Sequence, residues 1–191
     1  MINRDINALK KVMKRHGYTE SHFATMECSI SKIRRLLDKG TGPNARDETG
    51  MTPLHYATQD CPEAIPILIK YGTDPHAGDE GDMTPLHYAT MHRSLNAAEA
   101  LIKHSDVNAR DKDGRTLLAL EYGHCNVVLP LIESGADVNV ADKNDVRPIH
   151  YPDDDALVFC GTKYDELLEH SADPTVKDGS CTKPAELLSG N

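Results

Sequence analysis

"MTPLHYAT" occupies residues 51–58, and the same eight letters return at residues 83–90. A verbatim copy of this length is either chemistry used twice, with His55 and His87 as ligands, or scaffold needed twice. Phase decides between them. With Thr52 as marker, equivalent positions are Thr19, Thr52, Thr84, Thr116, Arg147 and Lys183, at spacings of 33, 32, 32, 31 and 36. A second marker runs in step: apolar triplets at i, i+3, i+4 fall at Ile33/Leu36/Leu37, Ile65/Leu68/Ile69, Ala98/Leu101/Ile102, Val128/Leu131/Ile132 and Tyr164/Leu167/Leu168. Each triplet lies on one helical face. A third marker follows it: Asp47, Asp79, Asp111, Asp142 and Asp178. The chain is periodic, and a period of this size means stacked copies of one small unit.

Each unit reads physically. Thr52 is placed to cap a helix, its hydroxyl accepting an N–H of the first turn. Pro53 follows at the first helical position, where its fixed φ helps and its missing N–H costs nothing. A short helix runs through "LHYATQ". A second, carrying the triplet, lies in "AIPILIKYG" and closes at Gly72, where a left-handed turn is easiest without a Cβ. An extended stretch and turn follow, as in "DVNARDKDG", with Asp111 and Gly114 supplying the turn chemistry. One such pair cannot bury its own apolar face, so it stacks on its copies.

This pattern resembles the ankyrin repeat, whose T-P-L-H-x-A signature and period of about 33 residues match here. The fullest matches are 52–83 and 84–115, and "YGHCNVVLPLIESGADVNVADKND" at 122–145 is similar to the family's second helix and finger. The resemblance implies an all-α solenoid of helix-turn-helix units with β-hairpin-like loops, about five repeats plus terminal caps. The expected division is a capping helix at 1–18, an array over 19–182 (19–51, 52–83, 84–115, 116–146, 147–182) and a partial repeat or C-terminal cap at 183–191. It also implies that His22, His55, His87 and His150 are structural, tying the Thr to neighbouring loops. The duplicate is scaffold.

The family's functional surface is a concave groove made by finger tips and the exposed side of the first helices. Mapped onto this chain, the finger candidates are Arg46, Glu48, Met51, Met83, Arg110, Lys112, Arg115 and Lys143. The first-helix candidates are Met26, Gln59, Asp60, Met91, His92, Glu121 and Tyr122. Exposed methionines suit adaptable contacts, and Tyr122 among Arg110, Lys112 and Arg115 is a combination enriched at binding hot spots. The expected function is a non-catalytic protein–protein interaction module (adaptor, scaffold or inhibitor) that binds a segment with apolar anchors and some acidic charge.

Three units depart from the pattern. The first, "YTESHFATMEC", keeps Thr19 and His22 but not Pro or Leu. The fourth, "GRTLLALEYGHC", has Leu117 and Ala119 in place of Pro and His, so its first helix should be shorter or shifted. The fifth keeps Pro148 and His150, then meets Pro152 and three aspartates, which predicts an interrupted helix and an acidic loop at 152–155.

Composition narrows the function further. The net charge of −9 is unevenly spread: residues 1–40 hold nine Lys/Arg against four acids, leaving the rest strongly acidic. Such a body repels phosphates, so no nucleic-acid partner is expected. No apolar run reaches the roughly 20 residues needed to cross a bilayer, so no integral membrane span is expected. The basic helix at 1–17 reads as a solvated cap or as a docking element for an acidic surface. Cys28, Cys61, Cys125, Cys160 and Cys181 are odd in number with no close pair, which predicts reduced, mostly buried thiols and an intracellular, cytoplasmic or nuclear location. "DKDGR" at 111–115 fails as a calcium loop, with Arg115 and Tyr122 where ligands should stand. No phosphate loop, nucleophile elbow or His-Glu-x-x-His is present. The expectation is a monomer without cofactor, metal or catalytic residue, bound to another protein. The alternative is a metal- or thiol-dependent enzyme using the irregular region 152–164.

Overall fold

The computed structural model describes residues 2–120, 125–150, 163–180 and 182–184. Helix α1 (Ile2–Arg15) precedes a series of helix pairs: α2 (Glu20–Met26) with α3 (Ile30–Asp38), α4 (Pro53–Asp60) with α5 (Ile65–Lys70), and α6 (Pro85–Met91) with α7 (Leu95–Ile102). Beyond them the first member of a pair shrinks to a single 3-10 turn, at Leu117–Ala119 before α8 (Cys125–Glu133) and at Pro148–His150 before α9 (Lys163–Glu169). First members pack in one row, α2 on α4, α4 on α6, then α6 on the 117–119 turn and that turn on 148–150. Second members form the other row, α5 on α7, α7 on α8 and α8 on α9. The result is an all-α solenoid. No strand occurs among the described residues; a finger holds at most an isolated antiparallel bridge, Arg110 to Thr116.

The seam between the rows is the core. Ile33, Ile65, Leu68, Ala98, Leu101, Val128, Leu131 and Leu167 are buried within one continuous apolar cluster. These are the first two members of successive triplets in most units. Third members such as Ile69, Ile102 and Ile132 are only half-buried, because a helix turns them from the seam towards its edge. Small residues let the rows close: Ala24, Ala57 and Ala89 on first helices and Ala97 on α7 are fully buried. Aliphatic interdigitation thus replaces the large aromatics that this chain lacks.

Two ladders fix the spacing of units. At the finger tips, backbone N–H groups donate to carbonyls of the preceding unit: Glu48 to His16 in the turn after α1, then finger to finger, Glu80 to Thr49, Lys112 to Gly81, Lys143 to Asp113 and Gly179 to Asn144, at 2.8–3.1 Å. Gly50 (φ +80) illustrates the constraint, since a Cβ there would lie 3.0 Å from the Glu80 nitrogen. Where each second helix ends, asparagines form the other ladder. Asn44 donates to the Gly72 carbonyl and accepts from Asp74 N–H. Asn108 does the same with Gly135 and Asp137, and Asn139 with Ser171 and Asp173. The equivalent place between the second and third pairs holds His76, from which no such bridge runs.

Three features modify the sequence reading. Leu120, at the position of Tyr56 and Tyr88, adopts an extended conformation (φ −67, ψ 132) and ends the fourth unit's first element after one turn. Cys28 and Cys61 are joined by a disulfide, against the expectation of unpaired thiols. They look remote in sequence, yet their separation of 33 is one period, which stacks them at equivalent points of adjacent units. Third, α1 leaves part of its apolar side uncovered, with Leu9 60% and Val12 49% exposed. It is held to the array by Lys14–Glu20 at 2.6 Å, a Lys10–Glu27 ion pair and Lys10 over the Phe23 ring at 5.3 Å. The acidic loop expected at 152–155 lies outside the described residues, and only 182–184 of the final segment are described.

Candidate functional site

The signature residues build a joint between units. The Thr52 N–H donates to His55 Nδ1 at 3.0 Å, with the Thr52 hydroxyl 2.9 Å from the same nitrogen. Nδ1 must therefore be bare and the proton must sit on Nε2, which donates to the Met83 carbonyl of the next unit at 3.0 Å. His22 repeats this with Thr19 and the Met51 carbonyl. The partner unit returns a contact, since Tyr56 meets His22 and Tyr88 meets His55 edge-on at 5.7 and 5.4 Å. Burial holds the His22 and His55 imidazoles below their ordinary pKa, against the favourable carbonyls of Met51 and Met83. These histidines are neutral struts.

Each finger turns on its aspartate. One Asp47 oxygen accepts from the Thr49 and Met51 N–H groups, and the other accepts from the Tyr56 hydroxyl at 2.7 Å. Burial pushes this carboxyl up, but the bonds from Tyr56, Thr49 and Met51 outweigh it and hold it low. Asp79 and Tyr88 repeat the arrangement. In the third finger Leu120 has no hydroxyl to give, and Arg115 Nε donates to Asp111 at 2.8 Å instead. His87 differs from His22 and His55: its Nε2 is buried without a hydrogen-bond partner of good geometry, and burial pushes its pKa down to about 4.

This network sorts the groove candidates. Arg46 donates to the Gly50 and Gly78 carbonyls, Arg110 to the Ala141 carbonyl, and Lys143 to the Lys112 carbonyl. Arg115 binds Asp111 and Asp113, and Glu48 lies 2.5 Å from His16. Met51 and Met83 are half-buried. Lys112 is exposed. Glu121 and Tyr122 lie outside the described residues, as does most of 152–164. What remains is a row along the C-terminal ends of the first helices: Met26, then Gln59 and Asp60, then Met91 and His92. Gln59, Asp60 and His92 are exposed, Met26 is 36% exposed and Met91 is half-buried. Tyr88 flanks His92 at 6.0 Å. Burial raises the Asp60 pKa and lowers that of His92, although each charge would favour the other. The row is thus a largely exposed strip in which partial burial costs Asp60 and His92 some of their preference for the charged form.

For metal chemistry, the one set of converging donors among the described residues is Cys28, Cys61 and Glu63. With the two sulfurs bonded to each other, it is not a ligand set in this state. No helix among the described residues is long and apolar enough to cross a membrane.

The family profile for ankyrin repeats in three copies matches residues 2–79 and again 60–142. The chain belongs to the ankyrin-repeat family. Rabankyrin-5 of Mus musculus and of Homo sapiens are each 30% identical over 171 residues, covering 82% of this chain and 15% of theirs. An ankyrin repeat-containing protein of Schizosaccharomyces pombe is 27% identical over 99 residues, 49% of this chain and 45% of its own. The chain therefore spans less than half the length of these relatives. Its ankyrin repeats make it a protein–protein interaction module. The sequence missed the disulfide and the duties of Arg46, Arg110, Arg115 and Lys143. One signal was available for the first, the one-period spacing of Cys28 and Cys61. The second had none, because a finger arginine looks the same whether it faces a partner or the next carbonyl.

Proposed function

We propose that this ankyrin array is a non-catalytic adaptor or inhibitor that seats a polypeptide segment along the row Met26, Gln59, Asp60, Met91 and His92. The observation that carries the reading is that these side chains are left over once the joints between units have taken their partners. Their chemistry fits a segment offering apolar anchors and neutral hydrogen-bonding groups. The methionines supply adaptable apolar contact, and the exposed Gln59, Asp60 and His92 supply hydrogen-bonding groups beside them. With Arg110 and Arg115 engaged by the fold, acidic recognition rests on Lys112 at the margin.

The test is affinity capture with the wild-type chain and the double variant Gln59→Arg/His92→Glu, both positions being exposed so that folding is unaffected. Polypeptides retained by the wild type should be lost by the variant, with at least a ten-fold weakening of any purified partner, about 1.4 kcal/mol. Equal binding by a variant whose circular dichroism is unchanged would remove this surface from consideration.

A further inference from the structure

We propose that Cys28 and Cys61 form a thiol-reversible crosslink that staples the first two units of the array. Their Cα atoms are 5.0 Å apart, within the span of a disulfide. The pair lies in the loops that follow α2 and α4, one beyond Glu27 and one beyond Asp60. The two backbones arrive there differently. Cys28 is left-handed (φ 46), as is Arg93 (φ 58) at the equivalent point of the third pair. That turn therefore belongs to the unit and not to the crosslink. Cys61 has a different backbone conformation (φ −156, ψ 67), and the Pro62 that follows it disfavours the helical region there.

Accessibility gives the exchange a direction. Cys61 is wholly buried, whereas Cys28 is half-exposed and lies 3.2 Å from the exposed Glu63 carboxylate. A small-molecule thiolate attacks the Cys28 sulfur; the S–S bond breaks, and its electron pair leaves on the Cys61 sulfur, which takes up a proton. A second small thiolate then attacks the small-molecule sulfur of that mixed disulfide; its bond to Cys28 breaks, the electron pair leaves on the Cys28 sulfur, which takes up a proton, and the products are two protein thiols and one low-molecular-weight disulfide. In the reverse direction that disulfide is the oxidant: Cys28 forms the mixed disulfide, and the Cys61 thiolate attacks it, releasing the second small thiol. Glu63 governs the return. Once Cys28 is reduced its S–H can donate to this carboxylate, which favours the thiol over the thiolate and slows reoxidation. Closing the link restricts the unfolded chain over one full period, so oxidation should raise the stability of the joint between the first two units.

The experiment uses the full chain equilibrated in glutathione buffers from reducing to oxidising. Two of the five thiols should disappear on oxidation, with peptide mapping placing them at Cys28 and Cys61. The denaturation midpoint should rise with oxidation in the wild type and stay fixed in Cys28→Ser. Glu63→Gln should reoxidise several-fold faster. The proposal is overturned if all five thiols survive, if Cys28→Ser still loses a pair, or if the midpoint ignores the redox state. It is equally overturned if the reduced wild type, and not Cys28→Ser, binds one zinc ion tightly enough to block oxidation. The Cys28, Cys61 and Glu63 donors would then be a metal site.

Discussion

His87 is buried with a bare Nδ1 bound to the Thr84 N–H, so an added proton has nowhere favourable to go. Its pKa in the fold, about 4, lies below the roughly 6.5 of an unfolded histidine. The unfolded chain therefore takes up the proton first, and stability falls as pH drops through that window, levelling below it. His22 and His55 act in the same direction, and Asp47, held low, withdraws its contribution at still lower pH. Urea unfolding at about pH 7 and about pH 5 should differ by roughly 2 kcal/mol on account of His87 alone. His87→Gln should flatten that slope, because Gln at this position can still complete the capping box while it does not titrate. Arg115 makes the second residue-level prediction. Arg115→Met, which copies Met51 and Met83, should destabilise by about 1–3 kcal/mol in equilibrium unfolding. It strips a charged donor from the buried Asp111 while Leu120 offers no hydroxyl. Sequence periodicity exposed the histidines at once, since they recur in phase. It hid Arg115, whose task arises only from a substitution five residues away.

Among elements, the second and third helix pairs are joined with one bridge fewer than their neighbours. His76→Asn should let residue 76 reach the His104 carbonyl and the Asp106 N–H, as Asn44 and Asn108 do with their own targets. A gain of about 0.5–1.5 kcal/mol in chemical denaturation is expected; a loss would mean that the imidazole has a packing role. The helices themselves were largely legible. Thr-Pro starts gave α4 and α6, the triplets gave the seam, and glycines at left-handed positions closed α3, α5 and α8. The collapse of the fourth unit's first helix to 117–119 was legible in outline from Leu117 and Ala119. Its extent was not, because Leu120 is a good helix former by itself.

Across the whole molecule, stability should grade from the ends inward, because each unit is supported only by its neighbours. Hydrogen exchange followed by mass spectrometry should find the slowest amides in α4 to α7 and the fastest in α1. Helix α1 is tied to the array by the surface ion pairs Lys10–Glu27 and Lys14–Glu20 and should exchange faster still in about 1 M salt, where such pairs are screened. Uniform protection from α1 to α7 would contradict this gradient. Solenoid architecture was readable from spacing alone, whereas the surroundings of the finger candidates were not, because the bonds of Arg46, Arg110 and Lys143 to neighbouring carbonyls depend on how the units stack. The ladder of finger-tip bonds has a further bearing on how such a chain changes over generations. Because Glu80 meets Thr49 and Lys112 meets Gly81 through main-chain atoms, whatever their side chains, one module can be spliced beside any other without redesigning the contact. A single inserted residue would instead shift every later tip out of alignment. Lengthening or shortening is thus tolerated in whole modules, such as the two that share the verbatim "MTPLHYAT".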